Sequence, residues 1–235
     1  MTAPILITGG AQRLGLAIAD DLLLKNQPVI VTYRSKKPSL DILNEKGAIL
    51  IQANFAHADG IAKFIGALKE ETDRLRGIIH NASDWAKEKP DSDYNALLLN
   101  MMNVHVNAPY QINLACQNML ENNGNFADII HMTDFVQEKG SQKHIAYAAS
   151  KAALHNLTLS FSALLAPKVK VNSIAPALLM FNEWDDQNYR QRALKKSLLQ
   201  NCPGAKEAVN AVNFILNSDY VTGQVLHLNG GRHLK

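Results

Sequence analysis

Pro4-Ile-Leu-Ile-Thr8-Gly-Gly-Ala-Gln-Arg-Leu-Gly15 decides the fold of this chain. A short apolar run ending in paired glycines predicts a buried strand, Pro4–Thr8, that feeds a tight turn. From Leu14 to Lys25 the apolar residues Leu14, Ile18 and Leu22 recur at helical spacing. Strand, glycine turn and helix in that order open a βα unit. Glycines there permit close approach of a pyrophosphate, and the first helical N–H groups face such an anion. The turn is not the G-x-G-x-x-G pattern, so alone it leaves an ordinary strand–helix turn open.

Outward from that unit the alternation continues. Strands are expected at Pro28–Tyr33, Ala48–Gln52, Gly77–His80, Asp128–Met132, Val169–Ile174 and Val225–Leu228. Helices are expected at Ser39–Glu45, His57–Thr72, Ile145–Leu165 and Ala205–Asn217. Asp91–Asn122 reads as one or two long helices with Pro109 at a boundary, and Asp186–Gln200 as a polar helix on an excursion. The strands are apolar on both faces, as a parallel sheet covered by helices on both sides requires. The expected fold class is α/β, a doubly wound parallel sheet of seven strands in one domain over 1–235.

Composition excludes several classes. Hydrophobic residues make up 47% of 235 and charged residues 19%, which is globular, not disordered. The net charge of +3 and the absence of basic runs argue against nucleic acid as a partner. No apolar stretch reaches bilayer length and no leader-like segment opens the chain, so a soluble cytoplasmic protein with no membrane partner is expected. Cys116 and Cys202 fit no metal or redox spacing. His80, His105 and His131 share no metal-ligand spacing either, so no metal is expected and a structural role is read for them. Asp185-Asp186 is read as a helix cap.

After the second strand comes Tyr33-Arg34-Ser35-Lys36-Lys37. An NAD site usually carries an acid there for the ribose hydroxyls, whereas Arg34 and Ser35 suit a 2′-phosphate, so the cofactor reading is NADP(H). A solvated basic loop is the alternative. Tyr147 and Lys151 stand four apart on a predicted helix and so share a face. An ammonium beside a phenol lowers its pKa and suits it to proton exchange. Asp134 lies thirteen residues upstream, and an ionised carboxylate there only accepts hydrogen bonds. Thr133 is the rival hydroxyl, and strand alternation lets only one of the two reach the site.

The Thr8–Gly15 turn, Asn81-Ala82, Asn107, Asp134, Tyr147, Lys151 and Ile174-Ala-Pro176 occur in the order and spacing of the short-chain dehydrogenase/reductase family, which the chain resembles over essentially its whole length. The resemblance implies a Rossmann-type domain. It implies Tyr147 as general acid, Lys151 as its pKa-lowering partner and nicotinamide-ribose ligand, and Asn107 as the holder of a relay water. It also implies a cofactor site of Gly9, Arg13, Leu14, Gly15, Tyr33, Arg34, Ser35, Asn54, Phe55, Asn81, Ala82, Lys151 and Pro176.

Departures from the common pattern cluster. Arg13 replaces a glycine, Asp134 replaces the catalytic serine, and Asn81-Ala82-Ser83 is followed by Asp84-Trp85. Together they resemble the pteridine reductase branch. That resemblance implies NADPH-dependent reduction of the C=N bond of a dihydropterin, with dihydrofolate as a weaker substrate. Arg13, Ser83, Trp85 and Tyr147 would then meet the substrate, Trp85 by stacking on the flat ring. Either Tyr147 or an ordered water could supply the proton. A carbonyl or 3-oxoacyl thioester reductase and a non-catalytic NADP(H) sensor stay open as alternatives. The resemblance also implies a substrate lid near 181–200 and a homotetramer.

Overall fold

The computed structural model describes residues 2–124 and 126–235. In chain order they run β1 (Ile5–Ile7), α1 (Arg13–Leu24), β2 (Val29–Tyr33), α2 (Ser39–Glu45), β3 (Ile49–Gln52), α3 (Ala58–Glu71) and β4 (Gly77–His80). Then come α4 (Tyr94–Met102), a π-helical segment (Asn103–Asn107), α5 (Ala108–Ala115), α6 (Gln117–Glu121) and β5 (Ala127–Met132). The last third holds α7 (Val136–Lys139), α8 (Ile145–Leu165), β6 (Val169–Pro176), α9 (Gln187–Leu194), α10 (Lys206–Asn217), β7 (Val225–Leu228) and a 3-10 turn (Arg232–Leu234). The described strands form one sheet in the order β3-β2-β1-β4-β5-β6-β7, and every neighbouring pair is parallel.

Successive strand side chains point to opposite faces, and here both faces are buried. Ile5, Ile7, Val29, Val31 and Ile79 pack with Ile18 and Leu22 of α1 and Val212 and Ile215 of α10. Leu6, Ile30, Ile78 and Ile129 pack on the other side with Phe64 and Leu68 of α3, Ile112 of α5, and Phe161 and Leu165 of α8. A single truncation in either core, such as Leu6→Ala at a fully buried position, costs about 2–5 kcal/mol.

The chain leaves β1 toward β2 and β3, then returns to place β4 on the other side of β1. Connections diverge at that point, and the crevice at the strands' carboxyl ends is where such sheets take ligands.

Boundaries moved where tertiary contacts outweighed periodicity. Over 91–122 the helical backbone runs unbroken from Tyr94 to Ala115, through α4, the π-helical segment and α5, and α6 follows after Cys116, so two helices are found as expected, with the break at Cys116 and not at Pro109. Pro109, which has no N–H to donate, follows directly on the π-helical segment inside this run. The polar helix expected over 186–200 is capped by Asp186, whose Oδ1 accepts from the Tyr189 N–H, but ends at Leu194. Beyond it the N–H groups of Leu198 and Leu199 donate to Gly230 O, at 2.9 and 3.1 Å. β6 runs two residues past Ile174 because Pro176 pairs with Leu228. Among the described residues no helix is long and apolar enough to cross a membrane, and no His/Cys/Asp/Glu group could hold a metal.

Candidate active site

At the carboxyl ends of β1, β2, β4, β5 and β6 the walls enclose a cavity of about 660 Å³, within the size range of small-molecule sites. Every residue expected at the site lines it except Gly15 and Asn107. The β1–α1 turn forms the floor. Gly9 has a φ of 67°, and a Cβ there would lie 2.8 Å from Ala82 Cα, so the turn seats directly on the strand β4 loop. Asn81 Nδ2 donates to Thr8 O and Gly9 O, locking the two loops together. Gly15 is a packing glycine, not a cavity residue. A Cβ there would stand 2.5 Å from both Asn81 Nδ2 and Gly9 O. Helix α1 starts with no side-chain cap and no acid in its first turn, which leaves its N–H groups available to an anion.

At the other end of the cavity the Tyr147 hydroxyl donates to Asp134 Oδ2 at 2.9 Å. Asp134 Oδ1 also accepts the Val136 N–H at 2.9 Å, fixing the carboxylate at the start of α7. Burial raises the Asp134 pKa, against the opposing pull of the Val136 N–H, the Lys151 charge and the phenol. Thr133 spends its hydroxyl on Ile174 O at 3.0 Å, so Asp134 and not Thr133 meets the phenol.

Lys151 is buried, donates to Met132 O at 2.8 Å and has its pKa lowered to about 8 by desolvation, with Asp134 pulling it back up. Its Nζ stands 5.6 Å from the Tyr147 ring centroid. The expectation that Lys151 pulls the phenol pKa down is not met. Burial, and then the neighbouring Asp134 charge and hydrogen bond, hold Tyr147 well above the ordinary phenol value. The phenol therefore keeps its proton at neutral pH.

Asn107 ends the π-helical segment, and its amide is engaged along the helix. It donates to Asn103 Oδ1 at 3.2 Å and accepts from Gln111 Nε2 at 2.7 Å. His105, two residues earlier, does more than fill the core. Its Nε2 accepts the Asp84 N–H at 3.2 Å and lies 2.8 Å from Ser83 Oγ. Nε2 is thus the acceptor, and Nδ1–H donates to Ser150 Oγ at 2.7 Å, whose hydroxyl donates to Tyr147 O. Burial, with Lys151 adding to it, lowers the His105 pKa to about 2 and keeps the ring neutral. Its edge meets the Tyr147 ring at 5.5 Å. One histidine so ties the Ser83–Asp84 loop to α8.

The two arginines expected at the cofactor are both engaged by protein groups. Arg13, with φ 52°, donates to Met180 O, Phe181 O and Asn182 Oδ1 at 3.1, 3.4 and 2.8 Å. Arg34 Nη1 donates to both carboxylate oxygens of Asp84, at 3.0 and 2.9 Å. Trp85 stacks on His144 with centroids 4.2 Å apart and stays 67% exposed.

Sequence reasoning missed the Leu178–Met180 wall, which has no chemical signature, and the part played by Asp84, visible only as a charge beside Trp85. It also missed Arg232, whose guanidinium lies 4.9 Å over the Phe135 ring and whose charge acts on Asp134.

A family model described as enoyl-(acyl carrier protein) reductase matches residues 9–233. The dihydromonapterin reductase of Klebsiella pneumoniae is 54% identical over 233 residues, covering 99% of this chain and 97% of that one. The protein of the same name in Escherichia coli O6:K15:H31 is 53% identical with the same coverage. Among solved structures, FolM alternative dihydrofolate reductase 1 from Brucella canis, complexed with NADP, superposes with a TM-score of 0.86 at 26% identity over 99% of this chain and 95% of its own. The parallel sheet order, the phenol and lysine on one helix and these full-length likenesses agree: the chain belongs to the short-chain dehydrogenase/reductase family.

Proposed function

We propose that the protein catalyses NADPH-dependent reduction of 7,8-dihydromonapterin to tetrahydromonapterin, with weaker turnover of dihydrofolate. The observation that carries this reading is the Tyr147–Asp134 pair inside the cavity of a chain 54% identical to a dihydromonapterin reductase. The cavity fits the cofactor. It offers free helix N–H groups at α1, Arg34 and Ser35 at the far end and no acid on that segment, which suits a 2′-phosphate. Asn54, Phe55, Asn81, Ala82 and Pro176 line the length between.

NADPH, when bound, supplies the hydride that the pterin C6 takes, and a proton goes to N5. The chain's own groups handle the proton and the orientation. Tyr147 keeps a proton on its hydroxyl, and Asp134 aims that hydroxyl by accepting from it. An acceptor-only carboxylate is poorly suited to a developing alkoxide, but it orients a donor well, which favours protonation at nitrogen over carbonyl reduction. Lys151, held by Met132 O, places a positive charge beside the pair and toward the nicotinamide ribose. Ser83, Arg13 and Trp85 are assigned to the pterin, and the segment 181–200 to a lid that excludes water. Asn107 is assigned to a relay water.

A homotetramer is also inferred. Exposed Leu99 of α4, Tyr110 and Leu114 of α5, and Leu159 and Leu164 of α8 support pairing through those helices. Light scattering that returns a monomer mass would remove it.

The test of function is NADPH oxidation with dihydromonapterin, dihydrobiopterin and dihydrofolate side by side. Dihydromonapterin should turn over fastest, and no turnover with any of the three would overturn the assignment. Asp134→Ser should lose most of the pterin activity. A fully active variant would strip the carboxylate of its role.

A further inference from the structure

Arg34 and Asp84 stand fifty residues apart in sequence and face each other along the cavity wall. Arg34 belongs to the end of β2, where a 2′-phosphate would be held. Asp84 belongs to the loop after β4 that carries Ser83 and Trp85 toward the substrate. Nη1 of Arg34 is shared between both Asp84 oxygens, and Asn100 Nδ2 holds Oδ2 from the other side at 3.2 Å. The Asp84 N–H is committed to His105. The carboxylate is therefore held by several partners, and the arginine is the more exposed of the two, with 59% of its side chain exposed against 22% for Asp84.

Arg13 repeats the pattern on the opposite wall, where its guanidinium is occupied by Met180 O, Phe181 O and Asn182 Oδ1. Both arginines suited to an anionic cofactor are thus already engaged by protein groups.

Two anions that claim one guanidinium compete. A phosphate that reaches Arg34 must displace the carboxylate or share the cation with it, and gains less than it would from a free arginine. Resting on the NADPH reading above, we propose that Asp84 is a specificity-determining residue that holds Arg34 in place of the 2′-phosphate, so that capture of the phosphate transfers Arg34 away from the substrate loop. The ion pair then does two things. It sets how far NADPH is preferred over NADH, and it links arrival of the phosphorylated cofactor to release of one anchor on the Ser83–Trp85 loop. Linkage makes this reciprocal: whatever frees the loop also favours the phosphate.

The test is calorimetric binding of NADP+ and NAD+ to the wild type, Asp84→Asn, Arg34→Gln and the double variant, with no turnover required. Asparagine keeps the size and the hydrogen bond from Asn100 but removes the competing charge. Asp84→Asn should bind NADP+ about threefold more tightly, the scale of a partly exposed ion pair, with NAD+ unchanged. In the Arg34→Gln background the same substitution should have no effect. Weaker NADP+ binding by Asp84→Asn would show that the carboxylate orients Arg34 for the phosphate, and would overturn the proposal. So would equal changes for NADP+ and NAD+. A wild type that binds NADP+ no better than NAD+ would instead remove the cofactor assignment itself, and the proposal with it. Trp85 provides a second readout in a Trp184→Phe background, where it is the sole tryptophan. Acrylamide quenching of Trp85 should rise on adding NADP+ and should already be raised in the unliganded Asp84→Asn protein. Unchanged quenching in both would overturn the link to the loop.

Discussion

Strand β5 has an aspartate near each end, Asp128 buried and Asp134 part-buried, and the two have opposite surroundings. Asp128, at its start, is closed on both oxygens: Arg76 Nη1 and Lys170 Nζ each lie 2.5 Å away. Arg76 continues to Leu216 O at 3.0 Å, binding the cluster to the end of α10. Asp134, two residues past its end, meets one phenol and one backbone N–H and opens on the cavity. Burial raises the pKa of both. The difference lies in what offsets the burial. Two fixed cations make Asp128 part of the scaffold, whereas a donor that can give up its proton makes Asp134 part of a reaction. A buried carboxylate becomes chemistry when its partner is itself titratable and reachable by substrate.

The largest effect should come from the partner of Asp134. Tyr147→Phe keeps the ring that packs on His105 and removes only the hydroxyl. Single-turnover kinetics should show a loss of roughly 10²–10⁴-fold, about 3–5 kcal/mol of barrier, with the melting temperature nearly unmoved. A fully active Phe variant would end the contrast between the two aspartates.

Asp128→Ala should do the reverse. It strands the buried Lys170 and the part-buried Arg76 and should lower unfolding free energy by about 3–5 kcal/mol in urea titrations. Turnover per folded molecule should stay the same. Lost turnover at full stability would show that the scaffold end of β5 also serves the site.

Acid should sharpen the comparison next. His80, His105 and His131 are buried and held neutral, His80 at about 4 and His105 at about 2 against an ordinary 6.5, all chiefly by desolvation. The unfolded chain binds these protons more readily, so stability is full above pH 6.5 and falls as pH drops below it. Each ring contributes up to about 1.4 kcal/mol per pH unit. Denaturation midpoints between pH 7 and 5 would measure the slope, and a flat profile would contradict neutral burial.

The smallest effect is expected at the exposed edge of the site. Trp85→Leu should raise KM for the pterin about two- to tenfold through loss of stacking worth about 0.5–1.5 kcal/mol, with kcat kept. A changed kcat at constant KM would take Trp85 out of ground-state binding.

Much of this was legible beforehand where local pattern and global fold agree. The seven strands, the helix carrying Tyr147 and Lys151, and the β1–α1 turn all follow from apolar periodicity and paired glycines. Short helices escaped. α7 has only four residues before Gly140 turns the chain at φ 69°, too few for a period to show. The end of α9 also escaped, because Leu198 and Leu199 find their acceptor at Gly230, far along the chain. The structural role expected for His105 holds, but its hydrogen-bond partners are not local. Its two nitrogens differ only once Ser150 and the Asp84 N–H are placed around it.

By itself the sequence determined the parallel sheet and the cavity's chemical inventory, because side-chain period and residue type are local properties, while the choice of Asp134 over Thr133 came with the hydrogen bonds of the folded chain. Only the tertiary structure decided how those groups are spent. It raised the Tyr147 pKa where a tyrosine–lysine pair alone predicts a fall, since burial and a neighbouring carboxylate outweigh an ammonium turned toward Met132 O. It also engaged Arg34 and Arg13 with the walls of the substrate end. Charge and desolvation depend on distances between residues far apart in the chain, and those distances exist only in the folded state.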